Sequence, residues 1–184
     1  MRLSDKKIRE VIFEYIESNN DKVRVLSELK IGKSIADFLV ITDGNISGYE
    51  IKSDLDTYTR LKSQVPDYNK HCDYCHIVVG QSHQKGVEKH IPEFWGIIVV
   101  SQYAKNIPKV EVIREATQNT KASLDKKLSL LWKRELENIS KKNGPYRYTT
   151  KSKAFIKKHL KETVDKDKLL IDITDELFER DYTI

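Results

Sequence analysis

The chain has only two cysteines, Cys72 and Cys75, in 184 residues, too few for a disulfide framework. No apolar run approaches the roughly 18 residues that a membrane helix needs. The first residues, Met1-Arg2-Leu3-Ser4-Asp5-Lys6-Lys7, lack the hydrophobic stretch and small-residue cleavage site of a signal peptide. Internal repeats and low-complexity tracts are missing as well. These absences argue against secreted, disulfide-stapled and membrane classes, and a cytoplasmic location without a membrane partner is the expectation. What is present is polar and globular. Hydrophobic residues make up 39% and charged residues 33%, at a length that suits one domain with accessories and a core of useful size.

The formal net charge of +5 is unevenly placed. Residues 121–161 hold 13 lysines and arginines against 3 acids, whereas the stretch after 161 turns acidic. A basic run by itself is most often a solvated helix face. Beside a hydrolytic site it would instead be a surface for phosphate. We therefore expect a core over residues 1–120 and a helical appendage over 121–184, basic to about 161. About 60 residues make a marginal unit alone, so the appendage is expected to lean on the core.

Hydrophobic spacing places the elements. Ile8, Val11, Ile12, Tyr15 and Ile16 predict an amphipathic helix from Ser4 to Ser18. Strands are predicted over 22–30, 34–41 and 46–53, separated by turn signals at Ile31-Gly32-Lys33 and Asp43-Gly44-Asn45. Asp54 is placed to cap a second helix carrying Leu55, Tyr58, Leu61, Val65, Tyr68 and Cys72, with Asp56 in its first turn. A fourth strand covers 74–79, further strands 96–100 and 110–114, and a short helix lies between 84 and 91. Leu124, Leu128, Leu131, Trp132, Leu136 and Ile139 predict one long helix ending near Asn143-Gly144-Pro145, followed by helices over 152–163 and 169–180. Trp95 and Trp132 occupy apolar positions and are expected in the core.

Asp37, Glu50 and Lys52 stand inside the two mostly apolar strands predicted over 34–41 and 46–53, and buried charge needs a reason. Asp-Gly favours a two-residue type I′ turn. With Asp43-Gly44 as that turn, Asp37 falls opposite Glu50, with Cβ atoms about 5 Å apart. Lys52, two residues on, shares the face of Glu50. A tight turn at Gly32-Lys33 sets Glu28 opposite Asp37 in turn. Adjacent carboxylates in an apolar sheet must protonate or bind a cation, and hard oxygen ligands suit Mg²⁺ or Mn²⁺. A lysine beside such a pair can hold a water or stabilise charge growing on phosphate. As isolated strand acids, Asp37 and Glu50 would be read as structural residues satisfied by Lys52 or Arg60. The agreement of spacing and register favours chemistry.

Asp37, a twelve-residue gap, then Glu50-Ile51-Lys52 resembles the Asp…Glu-X-Lys signature of the PD-(D/E)XK nuclease superfamily. The order of elements from Ser4 to Val79 is similar to that superfamily's helix, three-stranded meander, crossover helix and fourth strand. Ala36 stands where the motif has proline. Tyr49-Glu50-Ile51-Lys52-Ser53-Asp54 with Arg60-Leu61 and Gln64 also resembles a compact bacterial family within it. The resemblance covers about residues 23–80. It implies an α/β fold with a restriction-endonuclease-like αβββαβ core, a mixed sheet and a basic helical extension. It further implies metal held by Asp37, Glu50 and the Ile51 carbonyl, with Glu28 as a less certain third acid. Lys52 would stand near the attacking water, and Arg60 and Gln64 would contact phosphate.

The expected function is thus hydrolysis of phosphodiester bonds, in DNA, by Mg²⁺- or Mn²⁺-activated water, with a homodimer as one way to cut both strands. Two alternatives stay open: a nucleic-acid-binding module with its chemistry weak or lost, and a protein-interaction component of a phage-defence or toxin–antitoxin system. His71-Cys72-Asp73-Tyr74-Cys75-His76 lacks the second ligand pair of a zinc site, and its thiols are read as packing groups. Gly32-Lys33-Ser34 resembles the end of a P-loop, but Ser27 stands where its first glycine belongs. His83 and His90 are read as surface residues.

Overall fold

The computed structural model describes residues 3–103, 107–144 and 148–182. Helix α1 (Asp5–Ser18) precedes three strands, β1 (Arg24–Ile31), β2 (Ser34–Thr42) and β3 (Asn45–Lys52). Helix α2 (Leu61–His71) crosses over to β4 (Tyr74–Gly80), and two short 3₁₀ turns lead to β5 (Gly96–Tyr103) and β6 (Ile107–Arg114). Helices α3 (Leu124–Leu130), α4 (Lys133–Asn143), α5 (Lys153–Thr163) and α6 (Lys166–Phe178) complete the chain. Among the described residues the fold is α/β, with six strands in one mixed sheet ordered as in the sequence. The pairs β3/β4 and β4/β5 are parallel and the other three antiparallel. No helix among the described residues is long and apolar enough to cross a membrane.

Each face of the sheet has its own cover. Ser4 caps α1 by accepting from the Lys7 N–H, and the helix buries Ile8, Val11, Ile12 and Ile16 against Phe38, Val40, Tyr49, Ile51, Val78 and Ile98. Each such side chain contributes roughly 1.5–3 kcal/mol of burial. On the other face α2 and the C-terminal helices share one core with Leu39, Ile41, Ile46, Ile77 and Val79. Residues after 120 therefore pack through the same apolar cluster as the sheet. Cys72 and Cys75 are buried free thiols within it.

Two buried ion pairs anchor the C-terminal helices. The Lys127 ammonium meets the Asp73 carboxylate, whose other oxygen accepts the Ile46 N–H at 2.9 Å. Arg180 forks onto Glu135 at 2.7 and 2.6 Å and also donates to the Leu130 carbonyl at 2.8 Å. That clamp explains why the predicted long helix is two. Glu135 accepts the Trp132 N–H at 2.6 Å, so the chain leaves α3 at Leu131 and restarts at Lys133. Trp132 is not in the core either. It is 43% exposed, with the Arg180 guanidinium 4.6 Å from its ring centroid. Trp95 is fully buried and donates to Asn69 at 2.8 Å.

Asp54 does not cap α2. It accepts from the Leu3 N–H and from both the N–H and hydroxyl of Ser82, and Asp56 turns back onto Ser53. These local bonds hold residues 53–60 outside the helix, which starts only at Leu61.

Truncating Glu135 to alanine would leave the Arg180 guanidinium buried without its counter-charge, and we expect a loss of about 3–5 kcal/mol in urea unfolding. A change below about 1 kcal/mol would show that the clamp does not hold the α3–α4 corner.

Candidate functional site

The β2–β3 ladder runs from Thr42 opposite Asn45 to Phe38 opposite Tyr49. This is the register that a two-residue Asp43-Gly44 turn requires; one further step would set Asp37 against Glu50, and the pairing stops at Phe38–Tyr49. Here the ladder changes character. The Asp37 N–H donates to the Tyr68 hydroxyl at 3.1 Å. That hydroxyl stands 3.0 Å from the Tyr49 carbonyl and 2.8 Å from Glu50 Oε2, and its single proton serves one of them at a time. The Asp37 carboxylate in turn accepts the Ile51 N–H at 2.7 Å. Side chains thus replace backbone bonds where the two strands part.

Tyr68 reaches this fork because Gly48 lets α2 approach β3. A Cβ built on Gly48 would lie 2.6 Å from the Tyr68 ring and 2.7 Å from Cys72 Sγ, inside van der Waals contact. Any larger residue there would push α2 off the strand.

A second irregularity lies alongside. Leu39 and Ala36 belong to the same core cluster although three residues apart, and so do Leu26 and Leu29 on β1. Regular alternation puts such residues on opposite faces. Both strands therefore slip by one position, at Asp37 and at its expected partner Glu28, while the β1–β2 pairs on either side keep one register. Glu28 takes up the slip with a left-handed backbone, φ 54°, a conformation that costs an L residue about 1–2 kcal/mol.

The electrostatics follow from burial. Glu50 and Lys52 are 1% and 4% exposed and form an ion pair through Glu50 Oε1. With Tyr68 on Oε2, both carboxylate oxygens are engaged. Asp37 is raised from 3.8 to about 6, first by burial and then by the Glu50 charge, against opposing pulls from the Ile51 N–H, Lys52 and Arg9. Burial, followed by Glu50 and Asp37, holds the Tyr68 hydroxyl well above its ordinary value, so it stays a proton donor. Arg9, from α1, donates to the Asp37 carbonyl at 2.9 Å and lies 3.9 Å from the carboxylate.

Asp37, Glu50 and Lys52 are brought together. Glu28 is not drawn in: it is exposed, and no cluster of three His, Cys, Asp or Glu side chains suited to metal occurs among the described residues. Arg60 is exposed just ahead of α2. Gln64 lies one turn before Tyr68 on the same helical face, and its Oε1 is buried without a partner. Ile51 contributes its N–H to Asp37, and its side chain packs on the α1 face.

Tyr68 and Arg9 were missed as site residues. In sequence Tyr68 is one more apolar residue in a helical stripe, and nothing marks its hydroxyl. Arg9 reads as one more charge on an amphipathic helix, and only the tertiary fold brings it to Asp37. His83 and His90 have partners: His83 Nε2 is 3.0 Å from the Asp56 carbonyl, and the Tyr58 ring stacks on His90 at 4.2 Å.

Fold and site together define an α/β protein with a charged cluster at a strand fork. The chain belongs to the bacteriophage P4 protein cII family, whose model matches residues 2–182. No curated protein matches. Among solved structures, SfsA of Pyrococcus furiosus in complex with Ca²⁺ aligns at 11% identity with a TM-score of 0.34. The alignment covers 60% of this chain and 62% of that one.

Two outcomes test the geometry. Because the folded Asp37 carboxyl titrates near 6 rather than 3.8, its contribution to stability is fully present below about pH 4 and is lost as pH rises through 6. Asp37→Asn in EDTA should therefore raise the melting temperature at pH 8, by a free energy of at most about 3 kcal/mol, and change little at pH 4. An equal effect at both pH values would contradict the assignment. Glu28→Gly should stabilise the chain by about 0.5–1 kcal/mol, since glycine accepts the left-handed backbone at a smaller net cost. Destabilisation in the same unfolding assay would show that the Glu28 side chain holds the kink.

Proposed function

We propose that the protein is a metal-dependent nuclease that hydrolyses phosphodiester bonds in DNA, in the cytoplasm. The observation that carries this reading is the meeting of Asp37, Glu50 and Lys52 at the fork between β2 and β3. The succession α1-β1-β2-β3-α2-β4 supports a restriction-endonuclease-like core of the PD-(D/E)XK type, in which that trio occupies the Asp…Glu-X-Lys positions.

The donor set fits a hard divalent cation. Two carboxylates lie close enough that the Glu50 charge raises Asp37, and Mg²⁺ usually takes one or two carboxylates beside water and phosphate. Asp37, Glu50 and the Ile51 carbonyl would hold Mg²⁺ or Mn²⁺. Such an ion, when bound, polarises phosphoryl oxygen and acidifies a coordinated water. The chain's own groups do the rest. Tyr68 fixes the direction of Glu50, and the Lys52 ammonium offers positive charge where phosphate charge would grow. Arg60 and Gln64, one turn apart near the start of α2, would meet phosphate from the helix side. The unpartnered Gln64 Oε1 is an acceptor and lacks a donor, so a phosphate would be met by the Gln64 amide N–H rather than by this atom.

One observation favours a second reading, a nucleic-acid-binding module without catalysis. Both oxygens of Glu50 are already satisfied within the chain, and among the described residues no third acid joins the pair.

Plasmid and single-stranded DNA incubated with Mg²⁺, Mn²⁺ or EDTA separate the two. We expect cleavage with metal that falls by about 10²-fold or more in Asp37→Ala and Lys52→Ala. Cleavage that persists in both variants would sink the assignment. DNA binding with no cleavage under any metal would establish the binding module.

A further inference from the structure

A cleft of about 410 Å³ opens between the β1–β2 turn, α2 and α3. Lys33 lies on the turn, Lys70 near the end of α2 and Lys126 on α3, and all three are exposed. The Ser123 N–H donates to the Lys70 carbonyl at 2.9 Å, which brings the start of α3 beside the end of α2. Among the described residues none of the three lysines takes part in an ion pair, and the acid that lines the cleft, Asp67, is already engaged. Asp67 Oδ2 accepts the Lys33 N–H at 3.0 Å and the Ser34 hydroxyl at 2.8 Å, and its carboxylate packs against Gly32, held at φ 66°. The carboxylate therefore fastens the turn. His71, at the base of the cleft, is held below its usual pKa first by burial, with Lys126 and Lys70 adding to the effect.

Elsewhere in the basic segment much of the positive charge is spent internally. Lys142 pairs with Asp172 and Asp175, Lys157 and Lys161 with Asp125, and Lys133 and Lys158 with glutamates one turn on. Other exposed basic residues, Lys121, Arg134 and Lys141 among them, are also outside the ion pairs found among the described residues. The cleft differs in that three such lysines from three elements line one cavity, with Arg60 and Lys62 exposed nearby at the start of α2.

We propose that this cleft binds the phosphodiester backbone of the nucleic acid that the fork acts on, with Lys33, Lys70 and Lys126 contacting successive phosphates. The inference rests on the nuclease reading for its orientation. Ser34 lies three residues before Asp37 on β2, roughly 10 Å along the strand. Each strand of a duplex carries one charge about every 3.4 Å of the axis, so a strand with a phosphate at the fork presents others at the cleft. These contacts are blind to sequence and set register alone. Gly32-Lys33-Ser34 thereby has a use unlike that of a P-loop, because its backbone is occupied by Asp67 and only its lysine faces the ligand.

The test is fluorescence anisotropy of the full chain with a labelled DNA duplex, in EDTA, between 50 and 200 mM salt. The triple variant Lys33→Ala, Lys70→Ala, Lys126→Ala is compared with a charge-matched control, Lys6→Ala, Lys22→Ala, Lys109→Ala. Matched melting temperatures show that both remain folded. We expect the cleft variant to bind at least roughly tenfold more weakly at low salt, with a log–log salt slope flatter by about 2–3. The control should keep the wild-type slope. Wild-type protein that does not bind DNA, a cleft variant with unchanged slope, or a control that loses as much would each overturn the proposal. The nuclease reading fails separately: binding lost in the cleft variant without metal-dependent cleavage by wild type would leave the cleft standing and remove the enzyme. Cleavage lost in Asp37→Ala with binding indifferent to the cleft would do the reverse.

Discussion

A carboxylate with almost no solvent contact sits near the centre of this sheet, and the architecture around it serves to hold it there. Glu50 is gripped from one side by the Lys52 ammonium and from the other by the Tyr68 hydroxyl. An isolated buried carboxylate would carry a desolvation cost of several kcal/mol, and pairing offsets that cost only when the remaining lone pairs are also satisfied. The demand reaches outward from there. Tyr68 must come within hydrogen-bonding distance, so α2 must lie close over β3, and Gly48 is the residue that permits it. Because Tyr68 also takes the Asp37 N–H, β2 is freed from β3 at that point. The Asp37 carboxylate then fills the vacant acceptor position against Ile51.

Much of this was legible in the residues. Asp43-Gly44 dictates a two-residue turn, the turn dictates the register, and the register places Asp37 by Glu50 with Lys52 on the same face as Glu50. That inference used only local geometry, which is why it carried through. It failed one strand further out. The tight turn at Gly32 gives the correct β1–β2 pairs, yet alternation slips at Glu28 and Asp37, and Glu28 ends in solvent. A left-handed glutamate in mid-strand has no signature in a string of letters. Asp37 itself lies against a backbone N–H of the neighbouring strand, where unbroken alternation would have it stand out from the sheet. The helix break at Leu131–Trp132 escaped for a related reason: it is imposed by Arg180, almost 50 residues away in sequence, on a segment whose periodicity reads as continuous. Asp54 looked like a helix cap because caps are local, but its donors come from Leu3 and Ser82.

Charge shows the same limit of one-dimensional reading. A surplus of basic residues between 121 and 161 is a true property of the sequence, but it counts charges without their partners. Folding assigns many of those lysines to acids on α3, α4, α5 and α6, and one of them, Lys127, is buried against Asp73. What remains free is set by tertiary geometry. The exposed lysines around the β1–β2 turn and the end of α2 come from three separate parts of the chain, and only Lys126 belongs to the basic stretch.

The fork is also asymmetric, and this bears on how any ligand would enter. The Asp37 side chain keeps 28% of its surface exposed, against 1% for Glu50. A cation arriving from solvent therefore meets Asp37 first, and reaches Glu50 only by competing with Lys52 or Tyr68. Before it arrives, burial and the Glu50 charge disfavour the ionised form of Asp37. A positive charge at that point would relieve the repulsion that raises its pKa. The site is thus poised rather than saturated: its inner carboxylate is satisfied by the chain itself, and its outer one is held in a state that added positive charge would improve. A purely structural ion pair has no need of the second acid, and the proposal of chemistry at the fork rests on Asp37, brought beside Glu50 by the turn and by the parting of the strands.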